Sequence, residues 1–275
     1  MKIIIKLLLV IFLFVTCSKD EDTISCSDGR YTCIPDPIFE QSLIELGIDK
    51  DGTINGRVLT SDVSGITELD LWDKGISDLT GIENFTSLTN LNCGRNPLTS
   101  LDVSNNISLE TLTCIGNQLI SLDVSNNTSL TYLNCWDNQL TSLDVSNNIL
   151  LFGLECFYNQ LTSLDVSNNT SLEWLLCQNN QLTSLDVSSN TSLENLDCSE
   201  NQLTSLDVSN NQSLEVLFCD SNQLTSLDVS NNTSLFNFDC SENQLTCIKV
   251  NQSQLDNIPY SWKKDPEDTF SLDCN

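Results

Sequence analysis

Cysteine and aspartate are the residues of this 275-residue chain whose spacing could do chemistry, because both recur at a fixed interval. Eight cysteines follow one another every 21 residues, and seven aspartates keep the same interval. A constant interval is typical of a solenoid, in which equivalent residues of successive coils stack in columns. The cysteine column is Cys93, Cys114, Cys135, Cys156, Cys177, Cys198, Cys219 and Cys240, and the aspartate column is Asp102, Asp123, Asp144, Asp165, Asp186, Asp207 and Asp228.

Three interpretations of the cysteine column compete: disulfides between coils, a metal array, or free thiols packed in a core. Neighbouring strands lie about 4.8 Å apart and keep their Cβ atoms near that separation, whereas a disulfide prefers about 3.8 Å. Zinc sites draw on close cysteine pairs or histidine, and the chain has neither a Cys-x-x-Cys pair nor a histidine. We therefore expect free thiols that act as small apolar side chains, with no metal and no cofactor.

The aspartate column raises a similar choice between calcium binding and local hydrogen bonding. Carboxylates stacked about 5 Å apart repel one another and need a partner. Each aspartate stands in an LDVSNN-type turn, whose N–H groups are within reach of the carboxylate. We expect this local bonding rather than bound calcium.

The repeated unit itself predicts the fold. Leu130-x-x-Leu133-x-Cys135-x-x-Asn138-x-Leu140 has the spacing of a leucine-rich repeat with cysteine in the sixth place. Alternation around Leu133 predicts a short strand, and stacked coils place such strands in a parallel sheet. The fold class is therefore a leucine-rich-repeat solenoid, mainly β, with the parallel sheet on its concave face and an extended convex arm. We expect the Asn138 amide to satisfy backbone groups of a neighbouring coil.

The ends of the array need closing, because a single coil cannot bury its apolar face. Asp36-Pro37 followed by PIFEQSLIEL and Gly47 predicts a capping helix. The period fails after Val250, which predicts an irregular C-terminal cap. The expected divisions are residues 1–16, a lipoprotein signal peptide; 17–32, an acidic export tag and linker; 33–65, the N-terminal cap; 66–250, nine repeats; and 251–275, the C-terminal cap.

The region from about Cys33 to Val250 resembles the internalins, bacterial surface proteins built from leucine-rich repeats. CIPDPIFEQSLIELG followed by GITELDLWDKGISDLTGIENFTSLTNL is similar to an internalin cap running into a 22-residue repeat, and NQLTSLDVSNNTSLTYLNC is similar to the cysteine-ladder variant. This resemblance implies a solenoid that binds a partner molecule and does not catalyse a reaction. It leaves the partner unnamed.

The N-terminal stretch indicates export and attachment to a membrane. An apolar run over residues 7–15 has the length of a signal-peptide core, and FVTC ending at Cys17 resembles a lipobox, whose cysteine becomes lipidated. The following SKDED resembles the export tag of surface lipoproteins in Bacteroidota. We expect an outer-membrane lipoprotein exposed at the cell surface, with a secreted protein cut near Cys17 and a lipoprotein retained in the periplasm as the alternatives. Disulfides Cys26–Cys33 and Cys247–Cys274 are expected to link its caps in an oxidising compartment.

Composition narrows the classes of function. The formal charge of −27 disfavours binding to nucleic acid, which is itself anionic. Without histidine the chain has no Ser-His or Cys-His pair, and its acids are spread over a regular array, so we expect no enzyme.

Outward positions of the repeats carry the candidate binding residues. Large side chains concentrate on a few adjacent coils where most other outward positions are Ser, Thr, Asn or Asp, which favours a contact surface for a protein, with packing between strands as the alternative. Glycan capture on these aromatic rings is the second candidate function. The predicted patch is Ile115, Tyr132, Trp136, Phe157, Tyr158, Trp174 and Leu176.

Towards the C-terminus the same face becomes acidic. The pattern is typical of a solvated face and also fits a subsite for a basic partner. These acids are Glu155, Asp197, Glu200, Asp220, Asp239 and Glu242.

Overall fold

The computed structural model describes Cys26 and residues 29–274. The predicted signal peptide and Cys17 lie outside the described residues. Within the described part, the helices are too short or too polar to span a bilayer.

The N-terminal cap is a helix braced by a small antiparallel sheet. Asp36 begins the helix, because its Oδ1 accepts hydrogen bonds from the N–H groups of Ile38 and Phe39 at 2.8 and 3.1 Å. Its Oδ2 accepts from the Ser77 N–H at 2.8 Å, which ties the cap to the first repeat. The elements are β1 (Tyr31–Cys33), paired with β2 (Arg57–Leu59), and helices α1 (Pro37–Glu45) and α2 (Thr60–Val63).

A ten-stranded parallel sheet forms the concave face, and this confirms the predicted leucine-rich-repeat solenoid. Nine of its strands come from the repeats, and they pair so that residues at equivalent positions lie side by side, as Leu133 does beside Leu154. The strands are β3 (Glu68–Asp70), β4 (Asn90–Asn92), β5 (Thr111–Thr113), β6 (Tyr132–Asn134), β7 (Gly153–Glu155), β8 (Trp174–Leu176), β9 (Asn195–Asp197), β10 (Val216–Phe218), β12 (Asn237–Asp239) and β14 (Trp262–Lys263).

The C-terminal cap is more regular than the sequence predicts. It supplies β14 as the tenth strand, with Trp262 in the place of the central leucine, packed between Phe238 and Phe270 with ring centroids at 5.2 and 5.5 Å. A second, three-stranded sheet closes the convex arm. Its strands are β11 (Leu227–Asp228), β13 (Cys247–Lys249) and β15 (Thr269–Ser271), and helix α3 (Gln252–Asp256) precedes β14.

One asparagine column holds neighbouring coils together as expected. The Asn138 side-chain N–H groups donate to the Cys114 and Cys135 carbonyls at 3.0 and 3.1 Å, and its Oδ1 accepts the Leu119 N–H at 3.0 Å. The same pattern recurs through the repeats. Each asparagine thus satisfies backbone groups that would otherwise be buried without partners.

A second asparagine column, not predicted from the sequence, links the convex arms of neighbouring coils. The fully buried Asn148 donates to the Val124 and Asn127 carbonyls of the preceding coil at 3.0 and 2.9 Å. Its equivalents are Asn106, Asn127, Asn169, Asn190, Asn211 and Asn232.

Each carboxylate of the aspartate column accepts a hydrogen bond within its own turn through one oxygen. Asp144 Oδ1 accepts the Ser146 N–H at 2.9 Å, and the Ser146 hydroxyl together with this N–H lowers the pKa of the carboxyl group. The other six aspartates make the same contact. The predicted local bonding is therefore present at all seven positions, and Asp228 also pairs with Lys249 at 2.8 Å.

The cysteine column lies in the core beside the central leucines. All eight thiols are free and buried, with side chains 0 % exposed. Burial raises the pKa of Cys156 to about 12, so the thiol stays protonated and unreactive at neutral pH. The remaining described cysteines form the disulfides Cys26–Cys33 and Cys247–Cys274, one in each cap.

The buried thiols predict loss of stability in alkali. Because the folded-state pKa of each thiol is raised above 9.0, its contribution is fully present below pH 9 and is lost as the pH rises towards the folded value. Each thiol that ionises on unfolding should lower the unfolding free energy by about 1.4 kcal/mol per pH unit. Urea unfolding under reducing conditions between about pH 8 and pH 11 measures this slope.

A Cys156→Ala variant provides the control. Removing one thiol should reduce the fall of the unfolding free energy with pH by about 1.4 kcal/mol per pH unit. An unfolding free energy that stays constant over this range in the parent chain would contradict the assignment.

Candidate functional site

The concave face, the outward side of the ten-stranded sheet, is where the repeats differ from one another. In each repeat strand the central residue, a leucine except for Phe238 in β12, points inward, and the residues before and after it point outward. The two outward residues are polar in β3, β4, β5, β9 and β12, but include large apolar side chains in β6, β8 and β10. The variation marks the part of the sheet where a binding surface could lie.

The first group of aromatic rings runs along the loops that follow the strands. Trp136 and Phe157 stack with ring centroids 4.9 Å apart and planes 10° apart, and Phe157 contacts Tyr158 at 5.7 Å. Tyr158 is 53 % exposed. Its backbone is left-handed, with φ of 50°, as is the equivalent residue of every other repeat. This turn holds the Tyr158 ring at the rim of the concave face.

A second group lies over the strands themselves. Phe152 contacts Tyr132 and Trp174 with ring centroids at 6.1 and 5.5 Å. Phe152 is absent from the patch predicted from the sequence, because it stands two residues before the central Leu154, outside the strand and loop positions that define that patch. Gly153 makes room for the group, since a Cβ there would lie 2.6 Å from Tyr132 Cδ2.

Hydrogen bonds fix the polar edge of the second group. The Tyr132 hydroxyl donates to Glu155 Oε1, and the Asn134 amide donates to Glu155 Oε2 at 2.9 Å. Burial and the adjacent Glu155 carboxylate raise the pKa of Tyr132 to about 12. Tyr132 is therefore a positioned, half-buried residue whose ring and hydroxyl are both engaged.

Ile115 does not belong to the exposed patch predicted from the sequence. Its side chain is only 6 % exposed. The cause is the glycine one coil earlier: a Cβ on Gly94 would lie 2.6 Å from Trp72 Cζ3 and 3.0 Å from Ile115 Cγ1. Trp72 and Ile115 thus fill the space over Gly94, and the Arg95 guanidinium lies 5.3 Å from the Trp72 ring.

A groove of about 500 Å³ continues the surface across β8, β9 and β10. Trp174 and Leu176 form one wall, and the opposite wall is β10, with Val216 and Phe218. The sequence analysis did not include these two β10 residues, although they occupy the same strand positions as Trp174 and Leu176, two coils further on. Their signal in the sequence is two apolar residues at the outward positions of β10, where the neighbouring strands β9 and β12 have polar ones.

Polar side chains line the groove floor. In the register of the sheet, Asn195 lies between Trp174 and Val216, and Asp197 lies between Leu176 and Phe218. Burial raises the pKa of the Asp197 carboxyl group. The groove therefore combines apolar walls with a half-buried acid.

The acidic end of the face adds further negative charge beside the groove. Burial and the nearby Asp239 raise the pKa of Asp220 to about 6. Lys263 pairs with Asp239 at 3.0 Å. Among the described residues, no three potential metal ligands come together in a way that could hold a metal ion.

Comparison with solved structures supports the architecture. The functional domain of InlJ from Listeria monocytogenes, described as including a cysteine ladder, is 41 % identical with a TM-score of 0.73; the match covers 80 % of this chain and 52 % of that domain. This chain therefore spans about half the length of the InlJ domain.

Two further structures show the same fold. A leucine-rich-repeat protein of Leptospira interrogans is 24 % identical with a TM-score of 0.67, covering 77 % of this chain and 62 % of that one. Internalin C2 of Listeria monocytogenes is 20 % identical with a TM-score of 0.61, covering 87 % and 95 %. No protein-family model and no curated protein matches the chain.

Gly153 offers a test of how the second aromatic group is built. Gly153→Ala should destabilise the protein by about 1–3 kcal/mol, because the added methyl group meets the Tyr132 ring. In a Tyr132→Ala background the ring is gone and the cost of the added methyl should fall. Urea unfolding of the parent, the two single variants and the double variant gives the coupling free energy between the two positions. Equal costs in both backgrounds would show that Gly153 does not make room for the ring.

Proposed function

We propose that this internalin-like leucine-rich-repeat solenoid binds a protein partner through its concave face. The observation that carries the proposal is the concentration of large apolar side chains at the outward strand positions of β6, β8 and β10, whereas the outward strand positions of β3, β4, β5, β9 and β12 are polar. Interaction surfaces are enriched in aromatic residues in this way. The predicted patch, without Ile115 and with Phe152, Val216 and Phe218 added, is the proposed surface.

Rigidity of the scaffold supports binding. The rings stand on strands that are paired in register on both sides, and the asparagine column fixes the loops that follow them. A surface held in this way loses little conformational entropy when a partner docks, so more of the contact energy contributes to affinity.

Glycan binding is the second candidate function. It is favoured by Trp174, which is 36 % exposed and lies beside the Asn195 amide in the sheet register. An aromatic face next to an amide can stack on a sugar ring and bond its hydroxyl groups. Protein binding remains the leading proposal because the surface extends over several coils rather than one platform.

The two most exposed rings of the proposed surface, Tyr158 and Trp174, are the residues to replace. Tyr158→Ser combined with Trp174→Ala should reduce partner affinity at least tenfold, because these side chains are 53 % and 36 % exposed and available to a partner. Capture of candidate surface proteins by the immobilised chain should be compared with a glycan array run on the same preparations.

The matched control is Ile149→Ser combined with Leu150→Ser. These side chains are 56 % and 52 % exposed but lie in a turn that precedes a strand, outside the concave face. The control should bind as the parent does. Equal protein capture by both variants would refute the proposal, and saturable sugar binding lost with Trp174→Ala would favour the glycan function.

We further propose that the protein is an outer-membrane lipoprotein displayed at the cell surface and anchored through Cys17. The N-terminal sequence supports this, and so do the two cap disulfides, which persist in oxidising compartments.

Metabolic labelling with radioactive palmitate tests the anchor. Expressed in a bacterium that processes lipoproteins, the parent chain should carry label and partition into detergent, and Cys17→Ser should do neither. Protease treatment of intact cells reports surface display. An unlabelled parent chain, or label retained by the variant, would contradict the anchor.

A further inference from the structure

We propose that the groove between β8 and β10 receives a lysine or arginine side chain of the bound protein, with Asp197 as its counter-ion. This inference rests on the proposed function, that a protein binds the concave face. It adds a specific charge requirement to the apolar surface described above.

One of the two Asp197 carboxylate oxygens is already hydrogen-bonded within the chain. Its Oδ1 accepts the Ser199 N–H at 3.1 Å and the Ser199 hydroxyl at 2.6 Å. Its Oδ2 accepts no hydrogen bond from the described residues, and Asp197 lines the groove. The free oxygen is thus oriented by Ser199 and is available to a donor from outside.

The same motif binds lysine elsewhere in the chain. Asp239 occupies the equivalent strand position two coils later and makes the same two bonds to Ser241, at 3.1 and 2.6 Å. Its Oδ2 accepts the Lys263 ammonium group at 3.0 Å. Lys263 is the residue beside Asp239 on the next strand.

A second example lies on the convex arm. Asp228 Oδ1 accepts the Ser230 N–H and hydroxyl at 2.9 and 2.6 Å, and its Oδ2 accepts the Lys249 ammonium group at 2.8 Å. Lys249 is again the in-register neighbour on the next strand. Two carboxylates with this arrangement therefore hold a lysine supplied by the adjacent coil.

Asp197 has no lysine beside it on an adjacent strand, because its in-register neighbours in the sheet are Leu176 and Phe218. Those apolar side chains suit a cation that arrives on another molecule. The methylene stem of lysine packs on apolar surface while its ammonium group reaches a carboxylate, and a cation is attracted to the face of an aromatic ring. A half-buried setting also strengthens the ion pair relative to one in open water.

Surrounding charge favours the same occupant. Glu155 lines the groove, and Glu200 and Asp220 raise the negative charge beside Asp197. The chain as a whole carries a formal charge of −27, which attracts a basic segment from a distance. A neutral sugar would leave the Asp197 charge without a counter-ion, so the cationic side chain of a protein is the better match.

Short peptides isolate the charge requirement. Acetyl-Val-Lys-Leu-amide and acetyl-Val-Gln-Leu-amide can be titrated into the full chain, with binding read from the tryptophan indole NMR signals. The lysine peptide should bind at least tenfold more tightly than the glutamine peptide, and its affinity should fall as salt rises from about 0.05 M to about 1 M. Asp197→Asn should remove the preference for lysine.

Asp207→Asn is the matched control. Asp207 makes the same local bond to a serine N–H, 2.9 Å from Ser209, but is exposed on the convex arm. This variant should keep the preference for lysine. Equal binding of the two peptides, no saturable binding of the lysine peptide up to about 10 mM, or a preference that survives Asp197→Asn would each overturn the inference.

The result can be separated from the fate of the proposed function. If a captured protein is lost with Tyr158→Ser and Trp174→Ala but binds the Asp197→Asn variant unchanged, the concave face still binds protein and the cation pairing is wrong. If the lysine peptide behaves as expected while no protein is captured, the pairing stands and the proposed function fails.

Discussion

Burial of each coil between two others is the constraint on which the rest of the structure depends. Every inward-facing N–H and carbonyl group must find a partner inside the stack. Two asparagine columns supply these partners, represented by Asn138 on the sheet side and Asn148 on the opposite wall. Each amide of these columns bridges adjacent coils in the same way, including across the 22-residue first repeat, so the two asparagine positions are fixed while outward positions vary.

The same constraint explains the thiols. A side chain in the sixth position of a repeat is buried and must be apolar; Leu71 meets this requirement in the first repeat and a free cysteine meets it in the others. Burial keeps the thiols protonated, which makes them poor nucleophiles and metal ligands. The described chain therefore contains cap disulfides and unpaired ladder cysteines together, since the ladder thiols are buried and stay protonated while the cap cysteines are paired.

Features of the structure that depend on contacts within one coil are predictable from the sequence, whereas features that depend on contacts between coils are not. The period, the strands and the capping helix follow from local patterns such as Asp36-Pro37 and the spacing around Leu133. Ile115 was predicted to be exposed because its burial depends on Trp72 packing across Gly94, a contact between coils. The tenth strand was missed because Trp262 replaces a leucine outside the repeat period.

The candidate site likewise has one part that the sequence predicts and one part that depends on contacts between coils. The aromatic rings are visible in the sequence as exceptions to a polar pattern, whereas the groove is visible only when β8, β9 and β10 are set side by side, with Asp197 between Leu176 and Phe218. Both depend on a scaffold whose cysteines are filler rather than chemistry. Counting thiols with a disulfide reagent tests that claim most directly. In a Cys17→Ser variant, the ladder cysteines should be unreactive in the native protein and all eight should react after unfolding without reductant; fewer than eight, or rapid reaction in the native state, would contradict the account.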